Sequence, residues 1–272
     1  MKPLITLILL YVLPVLLLPT VRAQGALQVS PGKLTFNQFE GTTQYQELTV
    51  FNPTDEYVEI EFLLEDWKRD SSGLKVYAPP GSSDRSCAAW VHPPGQRIKI
   101  PPQETRFVRV SLDVPATYTP EQGVHHAMLF LRQVRPFTSD RRVDALLTSD
   151  IDVLFQVGVH IYYTHPALQR YDLTIQHMEF TETGQLRADY ENTGETLIDA
   201  KIKVELTDVV SGREFTGKNR RTTVPFLPGD YRRVFIDLTE FGLPSGRYSA
   251  LVSADYGADY ELEVGILEII VE

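Results

Sequence analysis

After its first two dozen residues, this 272-residue chain has no long stretch with apolar residues every three or four positions. Its apolar residues alternate instead, in the short runs YQELTVF, YVEIEFLLED, RFVRVSLDV, HHAMLFLRQV and IDVLFQVGVHIYY. Turn clusters separate them: FNPTDE, DSSG, APPGSSD and HPPGQ. On an extended strand, neighbouring side chains point to opposite faces, so alternation buries one face and wets the other. Strands of this length, broken by Gly, Pro, Asn and Asp, pack as two sheets face to face. The expected class is all-β.

The pattern runs twice. THPALQR (164–170) interrupts it, and it restarts with YDLTIQHMEF, QLRADYENTG, LIDAKIKVELTD, DYRRVFIDL, GRYSALVSADYG and YELEVGILEIIV. A first domain is expected over 24–165, a linker over 166–169 and a second domain over 170–272. The halves rhyme. A strand, an Asn-led turn at Asn52 or Asn192 and a longer strand ending in Asp66 or Asp208 occur in each. Pro102 precedes Arg106 and Leu112 at the same offsets as Pro228 precedes Arg232 and Leu238. Two tandem immunoglobulin-like β-sandwich domains account for this, whereas two copies are too few for a repeat array.

The first residues, MKPLITLILLYVLPVLLLPTVRAQ, have the form of an export signal. Lys2 supplies a positive start, Leu4 to Leu18 an apolar run and Val21-Arg22-Ala23 a small-residue cleavage site. A signal peptide over 1–23 is expected, with the mature chain starting near Gln24. The apolar run is short for a membrane span and carries prolines. Cys87 is the only cysteine, so an exported chain of this kind is held by its core and not by internal disulfides. Without Lys2 and Arg22 the chain has 24 basic against 36 acidic residues, net −12. That disfavours nucleic acid, which requires clustered Lys and Arg.

No enzyme signature is present: no GxSxG, HExxH, Gly-rich phosphate loop or CxxC. His125 and His126 are adjacent, so on a strand one points inward and the other outward, and they do not ligate one metal together. Asp150 and Asp152 share a face but lack a calcium-loop frame. Cys87 has no neighbouring His to activate it. Trp67 and Trp90 read as core or rim aromatics. The expectation is a protein without catalytic residues, metal, cofactor or small-molecule substrate.

What remains is the backbone. Ile151, Val153, Phe155, Val157, Val159, Ile161 and Tyr163 fall at every second position of one run and line one face. A strand edge exposes unpaired N–H and C=O groups that can pair with another protein, and 151–163 is the best candidate for such an edge.

The order of these features resembles that of the periplasmic pilus chaperones, the PapD-like family, from about residue 27 to 166. LQVSPGKLTF is similar to the family's first strand, and YQELTVFNPT to its second strand and Asn turn. AAWVHPPGQRIKIPPQETRFVRVSL, VPATYTPEQGVHHAMLFLRQV and IDVLFQVGVHIYYTHP follow in the family's order. The last resembles its G1 strand. The resemblance implies an exported periplasmic chaperone whose G1 strand fills the gap in incomplete β-sandwich subunits, for pili or another surface structure. By position, Ile151, Val153, Phe155 and Val157 would fill the subunit's pockets. The partners implied are secreted, pilin-like subunits, with an outer-membrane assembly protein beside them. The family also anchors the subunit's C-terminal carboxylate with two cations in the cleft between domains. Lys33 stands at the first position and loses the bidentate fork of the family's Arg. His160 stands at the second, and with an ordinary value it would gain charge between pH 7.5 and 6. The alternative is a non-catalytic scaffold of a cell-envelope complex, with the 151–163 edge covered by the chain's own residues 134–148.

Overall fold

The computed structural model describes residues 27–134, 154–215, 222–257, 260 and 262–272. All its regular elements are β-strands except two single 3-10 turns at Ala88–Trp90 and Thr239–Phe241. The fold is two β-sandwiches in tandem.

The first sandwich packs a four-stranded sheet against a larger one. The small sheet runs β1 (Gln28–Ser30), β3 (Thr43–Phe51), β8 (Thr105–Asp113) and β6 (Val91–His92). The larger runs β2 (Lys33–Phe36), β10 (Gln156–Thr164), β9 (Val124–Val134), β4 (Val58–Arg69) and β5 (Lys75–Ala78), with β7 (Arg97–Ile100) also on β4. Alternation does the sorting. On β8, Val108, Val110 and Leu112 enter the core while Phe107 and Arg109 face out.

The second sandwich pairs β11 (Leu173–Phe180), β12 (Gln185–Asn192) and β16 (Tyr231–Asp237) in one sheet. The other runs β14 (Glu214–Phe215), β13 (Ile198–Asp208), β17 (Gly246–Asp255) and β18 (Glu263–Val271), with β15 (Thr222–Phe226) on β13. Each sandwich encloses its own buried cluster.

The rhyme between the halves has a physical basis in two buried asparagines. Asn52 Nδ2 donates to the carbonyls of Glu56 at 2.7 Å and Ile100 at 3.1 Å, and its backbone N–H to Glu104 at 3.0 Å. Asn192 Nδ2 donates to Thr196 at 2.9 Å and Phe226 at 3.0 Å, and its N–H to Asp230 at 3.0 Å. Ile100 and Glu104 flank Pro102 as Phe226 and Asp230 flank Pro228. Each amide satisfies turn carbonyls that would otherwise be buried without partners.

A third cluster joins the two sandwiches. Trp67, Met128, Phe130 and Tyr162 on the outer face of the first domain's larger sheet pack with Leu227 of the second domain. This explains why β9 is buried on both faces over 124–131. It also corrects the expectation of one inward and one outward histidine. His125 packs among Trp90, Tyr118 and Tyr163, and His126 points the other way but is covered beside Trp67, so both are buried.

Candidate functional site: the β10 edge and the cleft beside it

β10 is hydrogen-bonded along its length to β9, from Gln156 opposite Arg132 to Thr164 opposite Val124. The Gln133 N–H donates to the Phe155 carbonyl at 2.9 Å and continues this pairing one residue further. Among the described residues, the opposite edge is only half covered. β2 runs parallel to β10 and pairs Lys33 with His160 through Phe36 with Tyr163. The last link is the His160 N–H to the Gly32 carbonyl, 3.0 Å. Strand groups alternate sides, so the N–H and C=O of Gln156 and Gly158 point the same way as those of His160. Among the described residues, no strand pairs with them.

The apolar row of this strand divides at the same place. Val159, Ile161 and Tyr163 are fully buried in the first domain's own core. They are not available to a partner, which corrects the reading of 151–163 as one donated surface. The reason is β2, whose pairing closes the sandwich over them. Phe155 and Val157 continue the row beyond β2 and are half-buried. Ile151 and Val153 lie outside the described residues, as does all but Val134 of 134–148, the segment expected to cover the edge in a scaffold.

Lys33 and His160 are register partners on neighbouring strands, so the structure brings both anchor candidates together. Lys33 reaches across to the second domain, its Nζ 3.4 Å from Asp199 Oδ2, with both side chains about half exposed. Such a pair is screened and worth ~1 kcal/mol or less. His160 does not carry the charge expected of it. Burial first, then Lys75, Arg69, Lys33 and His126, hold its pKa down to about 4. Its Nε2 lies 2.9 Å from Lys75 Nζ, and its Nδ1 lies 3.2 Å from the Tyr162 hydroxyl. A lysine ammonium only donates, so Nε2 accepts and the ring proton sits on Nδ1.

Trp67 is the hub of this cleft. Its ring lies 4.7 Å from that of His160, 5.1 Å from the Arg69 guanidinium and 5.7 Å from the Lys75 ammonium. Sequence reasoning missed Arg69 and Lys75. They sit on β4 and β5, far from β10 in the chain, and no local motif marks them. Beyond Trp67 lies a cavity of about 530 Å³ between Asp66, Arg69 and Ser83 of the first domain and Leu227–Tyr231 of the second. Cys87 is fully buried and burial pushes its thiol pKa up, which makes it an inert core residue. Among the described residues, no group of three His, Cys, Asp or Glu is placed to hold a metal.

No family model and no curated protein matches the sequence. Solved structures do match its fold. A chain from a chaperone–tip adhesin complex of CFA/I fimbriae biogenesis superposes with a TM-score of 0.52 at 10% identity, over 90% of this chain and 98% of that one. The class 5 fimbriae chaperone CfaA matches at TM-score 0.46 and 10% identity, over 91% of this chain and 100% of that one. The SafB chaperone complex with SafA pilin from Salmonella enterica matches at 0.47 and 12%, over 89% and 96%. The first of these shows a shared fold over 90% of this chain, which here is two sandwiches in tandem.

Proposed function

We propose that this protein is an exported chaperone that captures incomplete β-sandwich subunits by pairing them along the open half of β10. The observation that carries the reading is the division of β10 at His160. Below it the strand is closed by β2. Above it, among the described residues, no strand takes the backbone groups of Gln156 and Gly158 that face away from β9, and Phe155 and Val157 extend the domain's core row outward. A subunit lacking a strand would take the open edge through main-chain hydrogen bonds and seat the alternate side chains in its own gap. Ile151 and Val153 continue this row in the sequence and belong to the proposal on that basis. Lys33 and His160 mark the inner end of the site, His160 as a neutral group.

The shared fold supports this, because structures of that fold include complexes of chaperones with a tip adhesin and with a pilin. The leader-like residues 1–23 support export to the periplasm. The partners proposed are pilin-like secreted subunits, with assembly of a pilus or another surface structure as the purpose. The site chemistry is that of binding and calls for no catalytic residue.

The test is affinity purification of the protein from its native envelope with mass spectrometry of what accompanies it, repeated with Phe155→Asp. Small β-rich subunits at one-to-one ratio, lost in the variant, are the expected result. A constant set of large envelope proteins retained by the variant would mean a scaffold and overturn the reading.

A further inference from the structure

A strand at the end of a sheet leaves a row of backbone N–H and C=O groups for another chain to pair with, and folded proteins blunt such edges. Among the described residues, most edges of this fold are blunted. β1, β2, β5, β6, β7 and β14 are four residues long or shorter. β15 carries Pro225. β11 has a bulge between Ile175 and His177. β16 is met by the Ser71 carbonyl of the first domain, which accepts from the Arg233 N–H. β10 has the role proposed above. β18 has none of these devices.

The nine residues of β18, EVGILEIIV, contain no Lys or Pro and pair with β17 without a register shift, from Glu263 opposite Ala254 to Val271 opposite Gly246. The inner face is fixed in the second sandwich. Ile269 is buried in its core. Gly265 approaches β11 so closely that a Cβ there would overlap the Met178 sulfur. The Glu263 carboxylate accepts from the Ile175 N–H at 2.8 Å. The outer face is apolar although exposed: Val264, Ile266 at 67% and Ile270 at 65% point to solvent. Its one charge, Glu268, is matched by Arg247 of β17 at 3.0 Å. Among the described residues, no strand pairs with the other edge of β18.

We propose that a second copy of this chain occupies the edge, β18 against β18, antiparallel about a twofold axis at Ile266. Such an axis sets one strand against itself, so the strand must complement its own sequence. Centred on Ile266, the pairing places Ile266 opposite its copy, Leu262 opposite Ile270 and Glu268 opposite Val264. Apolar side chains then meet across the seam, and the two Glu268 side chains stay four residues apart along it. A register centred on Leu267 would make them diagonal neighbours, within reach of each other's like charge. Charge therefore selects the Ile266 register. Nine residues at ~3.4 Å each give a seam about 30 Å long. That is narrow beside a standard specific interface, so the dimer is reversible, with a Kd on the order of 10 µM. It uses the second domain and no residue of β10, and it does not rest on the chaperone reading.

The experiment is sedimentation velocity of the exported protein from about 1 to about 200 µM, a range that brackets this Kd. A concentration-dependent monomer–dimer equilibrium is expected. Ile266→Lys puts a charge on the edge at an exposed position and should weaken the dimer about tenfold or more, with an unchanged melting temperature. Oxidation of Ile266→Cys should trap a disulfide-linked dimer, because residues directly opposite lie within disulfide reach. Glu268→Cys, four residues from its copy, should not be trapped. Cys87 is buried and does not compete. A protein that stays monomeric throughout overturns the proposal, and so does a dimer that Ile266→Lys leaves intact. A dimer dissolved by Val157→Asp and not by Ile266→Lys would place the contact at β10 and overturn it as well. Trapping of Glu268→Cys in place of Ile266→Cys would overturn the register. Subunit capture by Ile266→Lys should be unchanged, so this inference and the chaperone reading fall separately.

Discussion

The backbone N–H of Arg233, the third residue of β16, donates to the carbonyl of Ser71 at 2.8 Å and ties the β4–β5 hairpin of the first domain to the second. The hairpin tip is shaped for this. Asp70 Oδ1 accepts from the Ser72 and Leu74 N–H groups at 2.9 and 3.0 Å. Gly73 has a φ of +94°, which a side chain would strain, and the Arg232 guanidinium lies where its Cβ would be. At the other end of the interface, Arg85 Nη2 pairs with Glu195 Oε2 at 2.8 Å. The relative placement of the domains is thus set by backbone contacts as well as by the cluster around Trp67, and it is this placement that brings Asp199 to Lys33.

Gly123 offers a direct test. A Cβ there would stand 2.1 Å from the Leu168 carbonyl and 2.4 Å from that of Glu195, so backbone must move. Gly123→Ala should cost about 1–3 kcal/mol and loosen the domains while each keeps its sheets. Small-angle scattering should show a larger radius of gyration with an unchanged far-ultraviolet circular dichroism spectrum. An unchanged radius would mean that the linker, not this contact, sets the domain placement.

The division of β10 predicts opposite outcomes two residues apart. Val157→Asp places a carboxylate at the open edge and should abolish subunit capture while lowering the melting temperature little. Val159→Asp buries an unpaired charge at a position with 0% exposure and should destabilise the first domain by about 4 kcal/mol or more. Thermal melts of the two variants beside a pull-down separate them. Equal destabilisation would place Val157 in the domain's own core.

Three histidines set a pH response. Burial is the first cause for His125, His126 and His160, and each is held down to about 4 from an ordinary 6.5. In the unfolded chain they protonate as pH falls through 6.5, and in the fold they do not until about 4. Between those values the unfolded state binds more protons, so stability falls as pH falls, by up to ~1.4 kcal/mol per pH unit for each histidine. Asp230, whose carboxyl burial pushes up, acts in the opposite sense at the acid end. Urea midpoints at pH 7.5, 6 and 5 should decrease in order, and less steeply for His126→Asn. Subunit capture, in contrast, should show no His160-dependent step between pH 7.5 and 6. This replaces the gain in affinity expected for a histidine with an ordinary pKa.

The paired asparagines should behave alike. Asn52→Ala and Asn192→Ala each leave buried turn carbonyls without a donor and should cost about 2–3 kcal/mol. Because they sit in different sandwiches, differential scanning calorimetry should shift a different domain's transition in each variant. A shift confined to the same domain in both would contradict the equivalence of the two turns.

Alternation, turn chemistry and the repeated Asn and Pro spacing were enough to read two β-sandwiches from the residues alone, because these signals act between neighbours in the chain. The same alternation could not say which part of 151–163 serves the core. Val157 and Val159 are the same residue in the same phase, and only the point where β2 stops, at Lys33 opposite His160, makes one half-exposed and the other buried. Nor could the sequence assign charge. Position 160 looked like a weak cation, yet burial beside Trp67 and the approach of Lys75 from a strand 85 residues away keep its ring neutral. Desolvation and the meeting of distant side chains depend on packing, so they belong to the tertiary structure and leave no periodic trace in the chain.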